Sequence, residues 1–280
     1  KDGLDDLTVI NETGDISYST NLQTWSQLPG DLREAIAGDF NNDQCYDLAG
    51  LNASGAVYYT TNLSTWTRVP GSLKQVVTGD FNGDGFDDLA GLNDSGNIYY
   101  TTDLVTWQQV AGNLDKLVVG DFNNDGRDDL AGLNGAGLIY YTTNLSGWTQ
   151  VPGALQDLIA GDFNNDGLAD LAGLNRQGRI YYTTNLASWI QVPGALSKLL
   201  SADLNGDGAD GLAGLNSLGH IYYTTDLNTW NQIFGNLTNL VRGNFDGINE
   251  NDLAGINESG DIFYTTNLNT WTRIPGELAP

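Results

Sequence analysis

Asp80, Asn82, Asp84 and Asp88 put four oxygen-bearing side chains at positions 1, 3, 5 and 9 of one short stretch, with Gly85 at position 6. Position 7 is Phe86, which has only a main-chain carbonyl to offer. An alternation of this kind, with glycine at the sharp turn, gathers oxygen donors around a hard cation. Without a cation, three carboxylates so close repel by roughly 1 to 4 kcal/mol per pair at about 4 Å, depending on the dielectric. Calcium is favoured over magnesium because a flexible loop with five or more oxygens suits a large ion of variable coordination. Zinc would require His or Cys, and the loops supply neither as a set. Three more complete copies follow the same spacing: Asp39, Asn41, Asp43, Cys45 and Asp47; Asp121, Asn123, Asp125, Arg127 and Asp129; Asp162, Asn164, Asp166, Leu168 and Asp170. The unrelated side chains at the seventh position are what a main-chain ligand predicts, and about four calcium ions are expected.

Other copies decay. Asp203, Asn205, Asp207 and Ala209 keep most of the pattern, but position 9 is Gly211 with Asp210 one residue away, so a weak or empty site is expected. Asn244, Asp246, Ile248, Glu250 and Asp252 put an apolar residue at position 5, and binding is not expected there. The first copy keeps Asp2 and Asp6 only.

The elements that position these loops are fixed by a period. Trp25, Trp66, Trp107, Trp148, Trp189, Trp230 and Trp271 recur every 41 residues without insertion or deletion. A period of this size belongs to propellers or helical arrays. No capped amphipathic stretch is long enough for a helix, and each period reads as four short strands. In one repeat these are predicted at Lys74–Phe81, Asp88–Leu92, Asn97–Thr101 and Trp107–Val110, with Pro-Gly, or here Ala111-Gly112, ending the unit. The acidic loop joins the first two strands. Gly96 closes a four-residue hairpin turn at positive φ, as do Gly14, Gly55, Gly137, Gly178, Gly219 and Gly260. Large residues on both strand faces, such as Ile98, Tyr99 and Tyr100, suit sheets stacked between two neighbours. The prediction is an all-β, seven-bladed β-propeller forming a single domain over 1–280. Blade 1, about 1–30, lacks its innermost strand, and blades 2–7 cover about 31–71, 72–112, 113–153, 154–194, 195–235 and 236–280. An innermost strand borrowed from elsewhere is the alternative.

Composition limits the partners. The chain has 280 residues, 40% hydrophobic, and 35 acidic against 11 basic residues give a net charge of −24. Nucleic acid and anionic membranes would repel it. The one cysteine, Cys45, excludes an internal disulfide framework. No apolar stretch approaches the roughly 20 residues of a membrane-spanning helix. No signal peptide opens the chain, and since it starts inside a repeat an export signal is expected outside these residues.

The acidic loop followed by Asp-Leu-Ala-Gly, found with variations in all seven repeats, resembles the FG-GAP repeats of the integrin α-subunit propeller and related bacterial surface proteins. The resemblance implies a seven-bladed propeller with calcium in the loops between first and second strands, ligand contacts on the opposite face, and an extracellular, cell-surface or periplasmic location. A second resemblance is to integrin-like propeller lectins, which bind sugars between blades. The turn Thr60-Thr61-Asn62-Leu63-Ser64-Thr65 before Trp66 is also similar to the Asp-box turn of sialidase-type propellers, and its presence in every blade marks it as structural.

An enzyme would need a singular constellation, and the arginines and tyrosines here are scattered or evenly repeated. His220, the only histidine, sits where other repeats have Asn97 or Arg179, and Cys45 has no histidine partner nearby in sequence. A non-enzymatic interaction module, a monomeric domain of a larger protein, is the expected class. An adhesion or protein-binding module would use the turns between second and third strands and the fourth-to-first connections, where the repeats differ most: Arg33 and Glu34, Lys74 and Gln75, Asp115 and Lys116, Gln156 and Asp157, Ser197 and Lys198, Thr238 and Asn239, with Arg176 and Gln177 on a turn tip. A lectin would repeat its site, drawing on Trp and Tyr near Asn62, Asn144, Asn185 and Asn267.

Overall fold

The computed structural model describes residues 3–248 and 251–276. Among them every regular element is a strand, and the strands form seven antiparallel sheets, six of four strands and the first of three. The protein is an all-β, seven-bladed propeller whose first blade has three strands, β1 (Leu7–Ile10), β2 (Asp15–Ser19) and β3 (Ser26–Asp31). By contacts the chain divides into two compact units, one of Thr8–Ser17 with Gln27–Leu158, the other of Lys1–Leu7, Tyr18–Ser26 and Ile159–Pro280.

The third blade shows how sequence becomes sheet. Its strands are Gln75–Gly79, Asp88–Leu92, Asn97–Thr101 and Gln108–Asn113. The second is buried along its whole length, as are Asp47–Leu51, Asp129–Leu133, Asp170–Leu174 and Gly211–Leu215. Two neighbours cause this. Within the unit that contains Gln27–Leu158, Ala49, Leu51, Val57 and Val69 of one blade pack on Leu73, Val76 and Leu89 of the next, whose Ala90, Leu92, Ile98 and Val110 pack in turn on Leu114, Leu117 and Leu130. Each fully buried leucine or valine contributes about 1.5 to 3 kcal/mol. The hairpin glycines behave as the sequence requires: Asn93 N–H donates to Asn97, Gly96 N–H donates to Asn93, and Gly96 holds φ +77°.

Two boundaries differ from expectation. The first strand stops at Gly79 because Phe81 N–H leaves the ladder and donates to the Asp88 carboxylate at 3.0 Å. The fourth strand starts after Trp107 and runs past Ala111-Gly112 to Asn113, with a bulge opposite Asn97 and Ile98. An edge strand tolerates proline or a bulge there because its outer N–H groups have no ladder partner to lose. Pro-Gly therefore does not end the unit; it makes a seat for the next tryptophan.

Candidate functional site

In each intact acidic loop the odd-numbered side chains fold back onto the loop's own backbone. The Asp80 carboxylate accepts N–H bonds from Gly83, Asp84 and Gly85 at 2.7, 3.2 and 2.8 Å. Asn82 Oδ1 accepts from Asp84 N–H at 2.8 Å and Asp84 Oδ1 from Phe86 N–H at 2.9 Å. The loops beginning at Asp39, Asp121 and Asp162 repeat this, with the N–H of Cys45, Arg127 and Leu168 on Asp43, Asp125 and Asp166. These are Asx-type turns, and they offset part of the mutual repulsion of the carboxylates. The position-9 acids Asp47, Asp88, Asp129 and Asp170 point the other way, into the blade, each accepting the N–H of the phenylalanine that follows the first strand. Consequently, among the described residues, no three Asp, Glu, His or Cys side chains converge as a metal cluster. The donor chemistry suits a hard cation all the same: every side chain is an oxygen donor, and an oxygen accepting one N–H keeps a second lone pair.

The decayed copies differ in instructive ways. Asp203 still gathers N–H groups from Gly206, Asp207 and Gly208, and Ala209 N–H caps Asp207. At position 9, however, a Cβ on Gly211 would stand 2.2 Å from Thr224 O, so no acid fits without a backbone shift. In the last loop Ile248 is 81% exposed. Glu250 and Asp2 lie outside the described residues.

Burial sets the protonation of the position-9 acids. Desolvation pushes Asp88, Asp129 and Asp170 up to about 7, against the opposing phenylalanine N–H bond and with a further push from Asp84 and Asp80, Asp125 and Asp121, or Asp166 and Asp162. Asp47 and Asp252 are raised to about 6 by burial first. A carboxyl whose pKa is higher folded than unfolded contributes stability that is full below about pH 4 and is lost as pH rises through the folded value. In chelator, the melting temperature should therefore rise as pH is lowered from 7 towards 5. Asp103, held down at about 2 by N–H bonds from Thr106 and Val105, works oppositely and only below about pH 4. A melting temperature that falls between pH 7 and 5 would overturn the assignment.

One set of acids was missed by reading the odd positions. At position 8, Asp87, Asp128, Asp210 and Asp5 each reach the preceding blade's loop. Asp87 Oδ2 accepts Asp39 N–H at 2.7 Å while Asp87 N–H donates to Asp39 O at 2.9 Å. Asp128 does the same to Asp80, Asp210 to Asp162 and Asp5 to Asn244. Asp210 is thus not a displaced position-9 ligand but a regular member of this inter-blade latch. The doublet Asp-Asp was the available signal. Where position 8 is Tyr46 instead, the ring is 70% exposed beside a cavity of about 350 Å³ lined by Asp39, Gln44, Cys45 and Asp87.

The divergent connection residues also tie blades together. Arg33 donates to Leu73 O and Lys74 O, Lys74 pairs with Asp115 at 3.2 Å, Lys116 with Asp157, and Lys198 donates to Thr238 O. Gln75 bonds both the N–H and the carbonyl of Leu117. By contrast the turn tips stand exposed: Glu12-Thr13, Ala53-Ser54, Asp94-Ser95, Gly135-Ala136, Arg176-Gln177, Ser217-Leu218 and Glu258-Ser259. His220 lies half-buried at a strand start, its Nδ1 3.4 Å from Asn216 Nδ2.

The tryptophans and their turns are committed as well. Trp25, Trp66 and Trp148 donate Nε1–H to Pro275, Pro29 and Ala111 carbonyls at 3.0, 2.7 and 2.7 Å, and Trp107 and Trp230 do likewise to Pro70 and Pro193. Asn62 Oδ1 accepts the N–H groups of Ser64 and Thr65; Asn144, Asn185 and Asn267 cap their own turns in the same way. Trp271 is the exception: its Nε1 is buried without a partner, and the residue standing where other blades have Pro or Ala is Phe234, 80% exposed. A lost hydrogen bond is worth about 1 kcal/mol. Urea unfolding should accordingly find Trp271→Phe about 1 kcal/mol less destabilising than Trp66→Phe; equal losses would refute the difference.

The fold recurs in solved structures of low identity. BBS1N solved in complex with ARL6DN superposes with a TM-score of 0.71 at 15% identity, over 99% of this chain and 91% of that chain. YCF48 from Cyanidioschyzon merolae gives 0.60 at 11% identity over 96% and 88%, and YCF48 bound to D1 peptide 0.57 at 14% over 92% and 85%. At these identities the likeness is one of fold alone. No curated protein matches the sequence. The Tectonin domain model matches residues 2–162 and again 162–280. Those two matches run almost the length of the chain, which therefore belongs to the Tectonin domain family.

Proposed function

We propose that the protein is a non-enzymatic binding module that holds a protein partner through its exposed second-to-third-strand turn tips, in an adhesion-type role at or outside the cell surface. The observation that carries this is a contrast. At the fourth-to-first connections most of the divergent side chains with bonds are spent tying one blade to the next, whereas at the tips a constant frame presents two exposed residues that change from blade to blade. In the unit that runs from Ile159, these tips are cationic at Arg176, apolar at Leu218, 68% exposed, and anionic at Glu258. A fixed scaffold carrying varied loop tips is the usual arrangement of a recognition surface. By fold analogy only, BBS1N and YCF48 are described with ARL6 and the D1 peptide.

The same reading gives the acidic loops a structural task. Calcium would be held by the side chains at positions 1, 3, 5 and 9 and the carbonyl at position 7 of the loops starting at Asp39, Asp80, Asp121 and Asp162, more weakly at Asp203. It would supply charge neutralisation, keeping the loops in shape. The FG-GAP, integrin-like likeness rests on these same residues. Extracellular modules bind calcium at about 10⁻⁴ to 10⁻³ M.

Membership of the Tectonin family, whose propellers are lectin-like, favours a second reading as a carbohydrate-binding module. Against it stand the tryptophan N–H groups and asparagine oxygens already spent on the fold. Immobilised protein and its Arg176→Glu and Leu218→Ser variants discriminate between the readings. The tip reading expects a protein partner retained by the parent and lost by the variants at unchanged melting temperature. A glycan-array signal of equal strength for all three would replace it with the lectin.

A further inference from the structure

In five of the four-stranded blades the first strand approaches the second so closely that one position in the second strand admits no side chain. A Cβ on Gly91 would lie 2.4 Å from Gln75 O and 2.6 Å from Leu73 Cδ1. The same holds at Gly50 with Glu34 O at 2.3 Å, Gly132 with Lys116 O at 2.2 Å, Gly214 with Lys198 O at 2.2 Å and Gly255 with Asn239 O at 2.5 Å. Five independent blades thus agree that this glycine is the imprint of a first strand and of the leucine that leads into it. Real Cβ atoms do not approach a carbonyl oxygen so closely, and close packing leaves no slack to absorb one.

β1 occupies the second-strand place in the first blade, pairs with β2, and has no strand on its other side among the described residues. Counting along the repeat, Leu89-Ala90-Gly91-Leu92 corresponds to Leu7-Thr8-Val9-Ile10. The glycine has become valine and the alanine threonine. Both new residues are β-branched, which suits a strand, and the valine adds a side chain where five other blades admit none. Only Leu7 of β1 is buried; Thr8, Val9 and Ile10 are half-exposed. An open edge of this kind is a template for strand addition unless something blocks it.

We infer that Val9, supported by Thr8, bars the free edge of β1 to a strand of the repeat type. In the register of the third blade, where Val76 faces Gly91 and Gln75 faces Leu92, an incoming strand would set its first carbonyl against the Val9 side chain. The substitution removes the template while keeping the strand, and it makes Val9 the residue that decides what this edge accepts.

The probe is a capped peptide with the sequence of Lys74–Phe81, labelled and titrated by fluorescence polarisation against the 280-residue protein and against its Thr8→Ala/Val9→Gly variant. The parent is expected to show no saturable binding, and the variant to bind at least about tenfold more tightly. Amide exchange at positions 8 and 10 should slow with peptide in the variant only. Saturable binding of the parent overturns the inference, and so does a folded variant that binds no better than the parent. If the double variant does not fold, Val9→Gly alone is judged by the same two measurements.

Discussion

Saturating calcium is expected to raise the melting temperature by about 5 °C or more for each loop it occupies, and chelation to reverse the rise. A ligand that binds only the folded state, present at a hundred times its dissociation constant, stabilises by about 2.7 kcal/mol. In a chain of this size 1 kcal/mol corresponds to about 2 to 4 °C. The effect is predicted to come from the four loops with the complete set of donors, those starting at Asp39, Asp80, Asp121 and Asp162, and Asp88→Asn should remove one loop's share. Two of the structural observations pull against each other here, which is what makes the experiment decisive. The position-9 carboxyls are buried and pushed towards neutrality by burial and by neighbouring charges, so a cation nearby would relieve them. The position-1 acids, in contrast, already have two or more backbone N–H groups, and a loop satisfied this way can stand without metal. Calorimetry that finds no heat of binding, together with a melting temperature indifferent to chelator, would leave the loops as Asx turns and nothing more.

Gly132→Ala is the second large effect, and it should lower stability by about 3 kcal/mol or more, at the upper end of what overpacking costs. The added carbon would lie 2.2 Å from the Lys116 carbonyl and 2.9 Å from Leu114 Cδ1. Relief would require Lys116–Gly120 to move away from Asp129–Leu133, breaking a ladder that runs from the Lys116 and Leu133 pair to the Gly120 and Asp129 pair. Gly126→Ala is the matched control for bulk alone: nothing lies within 4 Å of its Cβ, and only its φ of +79° opposes the change. Its loss should stay near the about 1 kcal/mol typical of a left-handed glycine replaced by alanine. Denaturant unfolding that finds the two variants equal would show that the close approach at Gly132 is not what fixes the residue.

Much of the architecture was legible because it repeats. The tryptophan period fixed the number of blades, the hairpin glycines fixed the turns, and Asp88–Leu92 and Asn97–Thr101 were read residue for residue. What escaped was whatever connects one repeat to the next. The Lys74 and Asp115 pair lies 41 residues apart and the Asp39 and Asp87 latch 48, and neither spacing corresponds to any period within a strand or turn. The fourth strand was cut short because Pro-Gly is read as a terminator, when its carbonyl in fact receives an indole from the following blade. In the acidic loop the alternation of donors was plain, but not the direction each carboxylate faces. That depends on where the N–H groups of the phenylalanine and of the turn end up, which only the folded backbone decides.

The four exact copies of Asp-Leu-Ala-Gly-Leu, at 47–51, 88–92, 129–133 and 170–174, have a consequence for how the chain reaches this state. During refolding, any first strand meets four second strands that it cannot tell apart by sequence. Proximity has to choose. The short connection to its own partner closes sooner than a longer one, with each doubling of loop length adding only about 0.6 kcal/mol against the competitor. So narrow a margin leaves the assembly open to mispairing, and above all to pairing with a neighbouring molecule when many chains refold together. Dilution should then raise the recovered yield steeply, because the wrong partner is distinguished from the right one by distance alone.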